Sequence, residues 1–147
     1  MIPNDAGAAV AAPPFSPPKN GVCPLFFALI FMKKIIFYHL ENGKSPVADF
    51  LESLTNKQVE KVFFVLDLIE TIDIVPRKFF KKLESTDLWE IRIQHANNIF
   101  RLLGFFDGNE LIVINHAFTK KSQKTPKREI RIAEQRKKDY FSRRRLS

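Results

Sequence analysis

From Leu88 to Phe118 apolar and polar residues alternate with a period of two, and that alternation restricts the chain to an antiparallel meander. Leu88-Trp89-Glu90-Ile91-Arg92-Ile93-Gln94 sets Trp, Ile and Ile against Glu, Arg and Gln, the pattern of a strand with one buried face. A second strand pattern runs from Asn98 to Phe106 and a third from Glu110 to Phe118. Asp107-Gly108 lies between them and reads as a two-residue hairpin, because a type I′ turn takes positive φ at both central positions.

Register follows from the loops. With Ala96-Asn97 as a two-residue loop, His95 pairs with Asn98 and Arg92 comes to lie opposite Arg101. Like charges directly opposite one another destabilise a sheet. In the second hairpin Phe106 pairs with Asn109, which sets Arg101 opposite Ile114, with His116 diagonal to it on the same face. One face of the meander then carries Arg92, Arg101 and His116. The other carries Trp89, Ile91, Ile93, Phe100, Leu102 and Val113. A three-residue first loop would send these side chains to the opposite faces. Two readings of the arginines stand side by side. Either they form an anion site whose ligand supplies the missing negative charge, or they pair with Glu90, Glu110 or another carboxylate.

The elements around the meander have their own signals. Ile35 to His39 is a short strand. Ser45-Pro46 opens a helix, with Ser as N-cap and Pro at the first helical position, and Val47, Phe50, Leu51 and Leu54 give it an apolar face. Thr55-Asn56-Lys57-Gln58 has capping-box spacing and starts a second helix whose apolar set is Val59, Val62, Phe63, Leu66 and Ile69, widened by Val65, Leu68 and Ile72. Pro76 follows its end, and Arg77 to Leu83 leads into the meander. Thr125-Pro126 reads as another cap and start, for a basic helix to about Arg144 with a thin stripe of Ile130, Ala133, Tyr140 and Phe141. The order β-α-α-β-β-β-α predicts an α+β fold. Two N-terminal helices cover one face of a small, mostly antiparallel sheet, and the first strand returns to that sheet. Ile99, Leu103, Phe105 and Ile112 remain on the opposite face and call for the last helix, a partner, or both.

Composition narrows the function. The 147 residues make one domain, and 45% hydrophobic residues with 15 Phe are enough for a core. One cysteine excludes an intrachain disulfide and a cysteine-rich zinc site, and His39, His95 and His116 show no metal-ligand spacing. The net charge of +8 is uneven: His116 to Ser147 carries twelve Lys/Arg against three Asp/Glu, so the rest of the chain sums to −1. Such asymmetry points to nucleic acid or an acidic protein partner. Residues 1–31 hold six of the nine prolines and end in an apolar run too short to span a bilayer and too poor in basic flanks for a signal peptide. They read as an extension upstream of a domain that starts at Met32.

The residues also resemble a known family. Leu88-Trp89-Glu90-Ile91-Arg92, Phe100-Arg101-Leu102 and the segment His116-Ala117-Phe118-Thr119-Lys120-Lys121-Ser122-Gln123-Lys124-Thr125-Pro126, with Glu129, Ala133 and Tyr140, look like the RelE/HigB-type toxins of toxin–antitoxin pairs, in their phage-derived branch. The likeness spans about Lys33 to Arg144. It implies a microbial-RNase-like fold and a metal-independent, cofactor-free endoribonuclease that cleaves translated mRNA at the ribosome. The products it implies are a 2′,3′-cyclic phosphate and a 5′-hydroxyl. The implied setting is cytoplasmic and free of membrane, with a cognate helix-turn-helix antitoxin as inhibitor, and a state of monomer or toxin–antitoxin hetero-oligomer. The residues that suit this chemistry are Arg92, Arg101, His116 and Lys120 as catalytic groups, with Lys81, Lys82, Lys121, Gln123 and Lys124 as phosphate or RNA ligands. The chain departs from family members that carry His-Asp or Tyr at the end of the last strand, which leaves the acid and base roles open. The alternatives are a ParE-type gyrase inhibitor on the same scaffold and an inactive nucleic-acid-binding relic.

Overall fold

Local signals start each helix where the spacing predicts. The computed structural model describes residues 32–121 and 124–146. The reading of residues 1–31 as an extension lies outside them, as does Gln123. Strand β1 (Lys34–Phe37) is followed by helix α1 (Pro46–Glu52), whose N-cap Ser45 accepts from the Ala48 amide at 3.2 Å. Helix α2 (Asn56–Thr71) begins with a complete capping box: Thr55 Oγ1 accepts from the Gln58 amide and Gln58 Oε1 from the Thr55 amide. Then come β2 (Phe80–Lys82), β3 (Trp89–His95), β4 (Asn98–Asp107), β5 (Leu111–Thr119) and α3 (Lys127–Leu146).

The strands form one five-stranded sheet in the order β1-β5-β4-β3-β2. Among the described residues only the β1–β5 pairing is parallel, so the fold is the expected α+β with a mostly antiparallel sheet. Strand β2 is an addition, since the stretch after Pro76 shows no period-2 signal and pairs with β3 for only three residues. Helices α1 and α2 bury Val47, Leu51, Val62, Val65, Leu66 and Ile69 against Ile91, Ile93, Phe100, Leu102, Ile112 and Ile114. Phe63 does not join this core: it is 49% exposed, as is the neighbouring Phe64 at 58%, because the stripe facing the sheet is set by Val62, Val65, Leu66 and Ile69. The last helix covers part of the other face, where Ala133, Ile130, Tyr140 and Phe141 meet Leu103, Phe105, Val113 and Tyr38.

The first hairpin has the register expected from a two-residue loop, with His95 opposite Asn98 and Arg92 opposite Arg101. The second does not. Asp107 pairs with Leu111 around a three-residue loop, and a bulge at Asn115 shifts the register again, so Arg101 lies opposite Phe118 and His116 opposite Leu103. Only Gly108 takes a positive φ in this loop, so the two left-handed residues that a type I′ turn requires are not present. The changed register moves Val113 to the α3 face and Ile112 to the α1/α2 face, the reverse of the assignment from a two-residue turn. Gly104 makes the bulge possible. A Cβ there would stand 2.6 Å from the Val113 carbonyl oxygen, so only glycine lets β5 approach this closely.

Candidate active site

The α3 face of the sheet has two halves. One is roofed by the last helix and is apolar. The other, toward the Ala96-Asn97 hairpin, carries charge, and Thr125 at the start of α3 meets it at Glu90. Alternation places Lys81 of β2, Glu90 and Arg92 of β3 and Arg101 of β4 on this face, where Lys81 pairs with Glu90 and Arg92 with Arg101. Lys120 follows β5 directly, and its amide donates to the Ile99 carbonyl at 2.7 Å, which holds the lysine beside the arginines.

Glu90 is the residue that reconciles the two guanidiniums. Its side chain is 2% exposed. Oε1 accepts from Arg92 Nε at 3.0 Å and stands 3.4 Å from Arg101 Nε as an ion pair. Oε2 accepts the hydroxyl of Thr125, which ties the start of α3 to the middle of the sheet. Thr125 thus gives its hydroxyl proton to Glu90 across the fold, and the first helical bonds of α3 go to the Pro126 carbonyl, where the sequence read Thr125 as the cap. Arg101 also donates from Nη1 to the Phe100 carbonyl at 3.1 Å. Its side chain is 11% exposed. Burial lowers its proton affinity, Arg92 lowers it further, and Glu90 works against both. The two sequence readings thus meet in one place: the arginines have a carboxylate, and one carboxylate faces two of them and Lys120 as well.

A groove of about 710 Å³ opens over this cluster, lined by Arg92, Asn97, Asn98, Arg101, Lys120 and Lys121 among others. Lys120 is 8% exposed. Its ammonium loses its proton more readily than usual, first because it is buried and then because Arg101, Arg92 and Lys81 surround it, with Glu90 opposing. The arrangement can hold a phosphate between two guanidiniums and place a donor of lowered proton affinity next to it.

Other sequence candidates sit elsewhere. Lys82 pairs with Trp89 and so points to the other face, away from Glu90 and the arginines. Lys121 is at the groove rim, and Lys124 is exposed beyond it. His116 is diagonal to Arg101, but from the other side: it lies opposite Leu103 instead of Ile99, and its ring bonds to α3. Its Nε2 donates to Glu129 Oε1 at 2.7 Å, and its Nδ1 accepts from Arg136 Nη1 at 3.1 Å. Arg136 also donates to the Asn115 carbonyl, and Asn115 Nδ2 to the Ala133 carbonyl. Both ring nitrogens are thus engaged within the protein. Burial lowers the proton affinity of the ring, and Arg136 adds to that against the bond to Glu129. The sequence reading missed the role of Thr125 altogether; Glu90 appeared in it only as one of several partners. Among the described residues, no group of three His, Cys, Asp or Glu side chains could hold a metal ion, and no helix is long and apolar enough to cross a membrane.

Comparison with known proteins gives one finding. The model of the family described as phage-derived protein Gp49-like (DUF891) matches residues 49–138, which take in the end of α1, all of α2, the meander and most of the last helix. No curated protein matches the chain.

Proposed function

The chain belongs to the phage-derived Gp49-like family, a toxin-like family of toxin–antitoxin systems, and from that premise we propose that it is a RelE/HigB-type toxin, an endoribonuclease that cuts translated mRNA at the ribosome. The observation that supports this most is the convergence of Arg92, Arg101 and Lys120 in one groove on the charged half of the sheet. A gyrase inhibitor would need no such convergence.

In the proposed reaction the 2′-hydroxyl of the nucleotide before the cut gives up its proton to solvent water and attacks the adjacent phosphorus. The bond from phosphorus to the 5′-oxygen breaks, leaving a 2′,3′-cyclic phosphate and a 5′-hydroxyl. Negative charge builds on the non-bridging oxygens in the transition state, where the Arg92 and Arg101 guanidiniums receive it. Glu90 keeps both guanidiniums on the groove side of the sheet. Lys120 donates a proton to the departing 5′-oxygen, a task suited to an ammonium that releases its proton easily. Lys81, Lys121 and Lys124 contribute attraction for neighbouring phosphates. His116 acts through position: it fastens the start of α3 to β5 by its bonds to Glu129 and Arg136. A helix-turn-helix antitoxin and a cytoplasmic, ribosome-bound setting complete the proposal.

The test is to map mRNA 5′ ends after brief induction. New ends inside translated codons, absent with Arg101→Ala, are expected. A DNA-damage response without new ends would instead mark a gyrase poison and end the ribonuclease reading.

A further inference from the structure

A second groove meets the first at the arginine pair. It encloses about 480 Å³ and is lined by Lys61, Lys78, Phe79, Arg92, Gln94 and Arg101 among others. Arg92 and Arg101 line both grooves and so stand at their junction. This second wall holds four cations and, among the described residues, no carboxylate. Lys61 comes from α2 and Lys78 from the segment before β2, so three separate parts of the chain bring positive charge to one place. Arg92 and Arg101 share Glu90, which lies outside this wall, and one carboxylate does not balance four cations.

The backbone adds a second feature. Strand β2 covers β3 only as far as Ile91, and the last bond of that pairing runs from the Arg92 amide to the Phe79 carbonyl at 2.7 Å. Alternation along a strand turns the amide and carbonyl of Gln94 toward the same edge, beyond the end of β2. Phe79 forms an apolar wall there, with the Lys78 ammonium 4.9 Å above its ring. Cations along a groove, an aromatic wall and an open strand edge are the parts from which single-stranded nucleic acid sites are made.

We propose that this second groove binds the single-stranded RNA that flanks the phosphate held by Arg92 and Arg101, so that the strand passes from one groove to the other across the arginine pair. Lys61 and Lys78 take backbone phosphates, and Phe79 and Gln94 face the sugar and base. The inference rests on the ribonuclease reading for the identity of the nucleic acid as RNA, while the groove itself stands on its lining.

The experiment measures binding of fluorescent 2′-O-methyl oligoribonucleotides, three and nine nucleotides long, over a range of salt. These probes lack the attacking hydroxyl and are bound without being cut. The parent is expected to hold the nine-mer more tightly than the three-mer. The double variant Lys61→Ala, Lys78→Ala should lose that preference, keep its three-mer affinity, and show a slope of log Kd against log salt smaller by about 1.4, or about 0.7 for each phosphate contact removed. Circular dichroism confirms that the variant is folded. A double variant with parental nine-mer affinity and slope overturns the groove, as does a parent with no preference for length. Mapping of 5′ ends runs in parallel. New ends made equally well by parent and double variant, with unchanged nine-mer binding, remove the groove and leave the nuclease. Lysine-dependent nine-mer binding by a parent that makes no ends supports the groove and removes the nuclease.

Discussion

Arg101→Ala separates a catalytic guanidinium from a structural one. Arg101 and Glu90 stand 3.4 Å apart. At an effective dielectric constant of about 20, the gross attraction at that distance is about 5 kcal/mol. Against it stand the burial of the guanidinium and repulsion from Arg92. The lowered proton affinity of Arg101 says that these two outweigh Glu90. Removing the charge therefore costs little electrostatically, since Glu90 keeps Arg92 at 3.0 Å and the Thr125 hydroxyl. Lost contact with the buried methylene stem costs about 1 kcal/mol. We expect a folded protein within about 1 kcal/mol of its parent, with RNA cleavage reduced by about 3 kcal/mol, a hundredfold or more. Glu90→Gln should behave in the opposite way. It leaves Arg92, Arg101, Lys81 and Lys120 facing one another without a counter-charge, and should cost about 3–5 kcal/mol of stability. Urea denaturation and a translation assay on both variants measure the two quantities. If Arg101→Ala loses 3–5 kcal/mol, the arginine is the indispensable counter-ion of Glu90 and the argument from its lowered proton affinity fails. A stable Arg101→Ala that cuts at the parental rate removes it from the active site.

Four further outcomes follow from the same geometry. Lys120→Arg keeps the charge but does not titrate; it should lower the rate about 10²–10⁴-fold and abolish the alkaline fall in rate expected in the parent as pH rises through the lowered pKa of Lys120, so a variant that retains that limb excludes Lys120 as the acid. His116 resists protonation when folded and takes it up near its ordinary value of 6.5 when unfolded, so its contribution to stability is present above that pH and declines as pH falls below it; His116→Gln should flatten this part of the pH–stability curve, and an unchanged curve would refute the assignment. Ala96 holds φ at +54° in the first hairpin loop, and Ala96→Gly should add about 1 kcal/mol, read as a rise in Tm. Gly104→Ala should cost about 1–3 kcal/mol in denaturant, because the new methyl group meets the Val113 carbonyl across the strand pair.

What could be read from the sequence was what neighbouring residues decide among themselves. Ser45 and Thr55 cap their helices through atoms three residues away, so their motifs suffice. The pleat of β3 and β4 and the Ala96-Asn97 loop placed Arg92 opposite Arg101, because a strand's period and a two-residue turn are both local. The rest was decided over longer distances. Gly104, on another strand, has no side chain to meet the Val113 carbonyl, and the bulge at Asn115 beside it sets His116 opposite Leu103, within reach of Glu129 and Arg136. Asp107 stayed in its strand, where its carboxylate accepts from Tyr140 and pairs with Arg144, partners more than thirty residues away that no turn signal contains. Phe63 and Phe64 were left in solvent because the sheet offers one strip of contact and Val62, Val65, Leu66 and Ile69 fill it. Thr125 meets Glu90 across 35 residues of sequence, and only the closing of α3 over the sheet sets the hydroxyl against that carboxylate. Period and capping are properties of a segment, whereas the environment of a charge belongs to whatever the finished fold brings beside it.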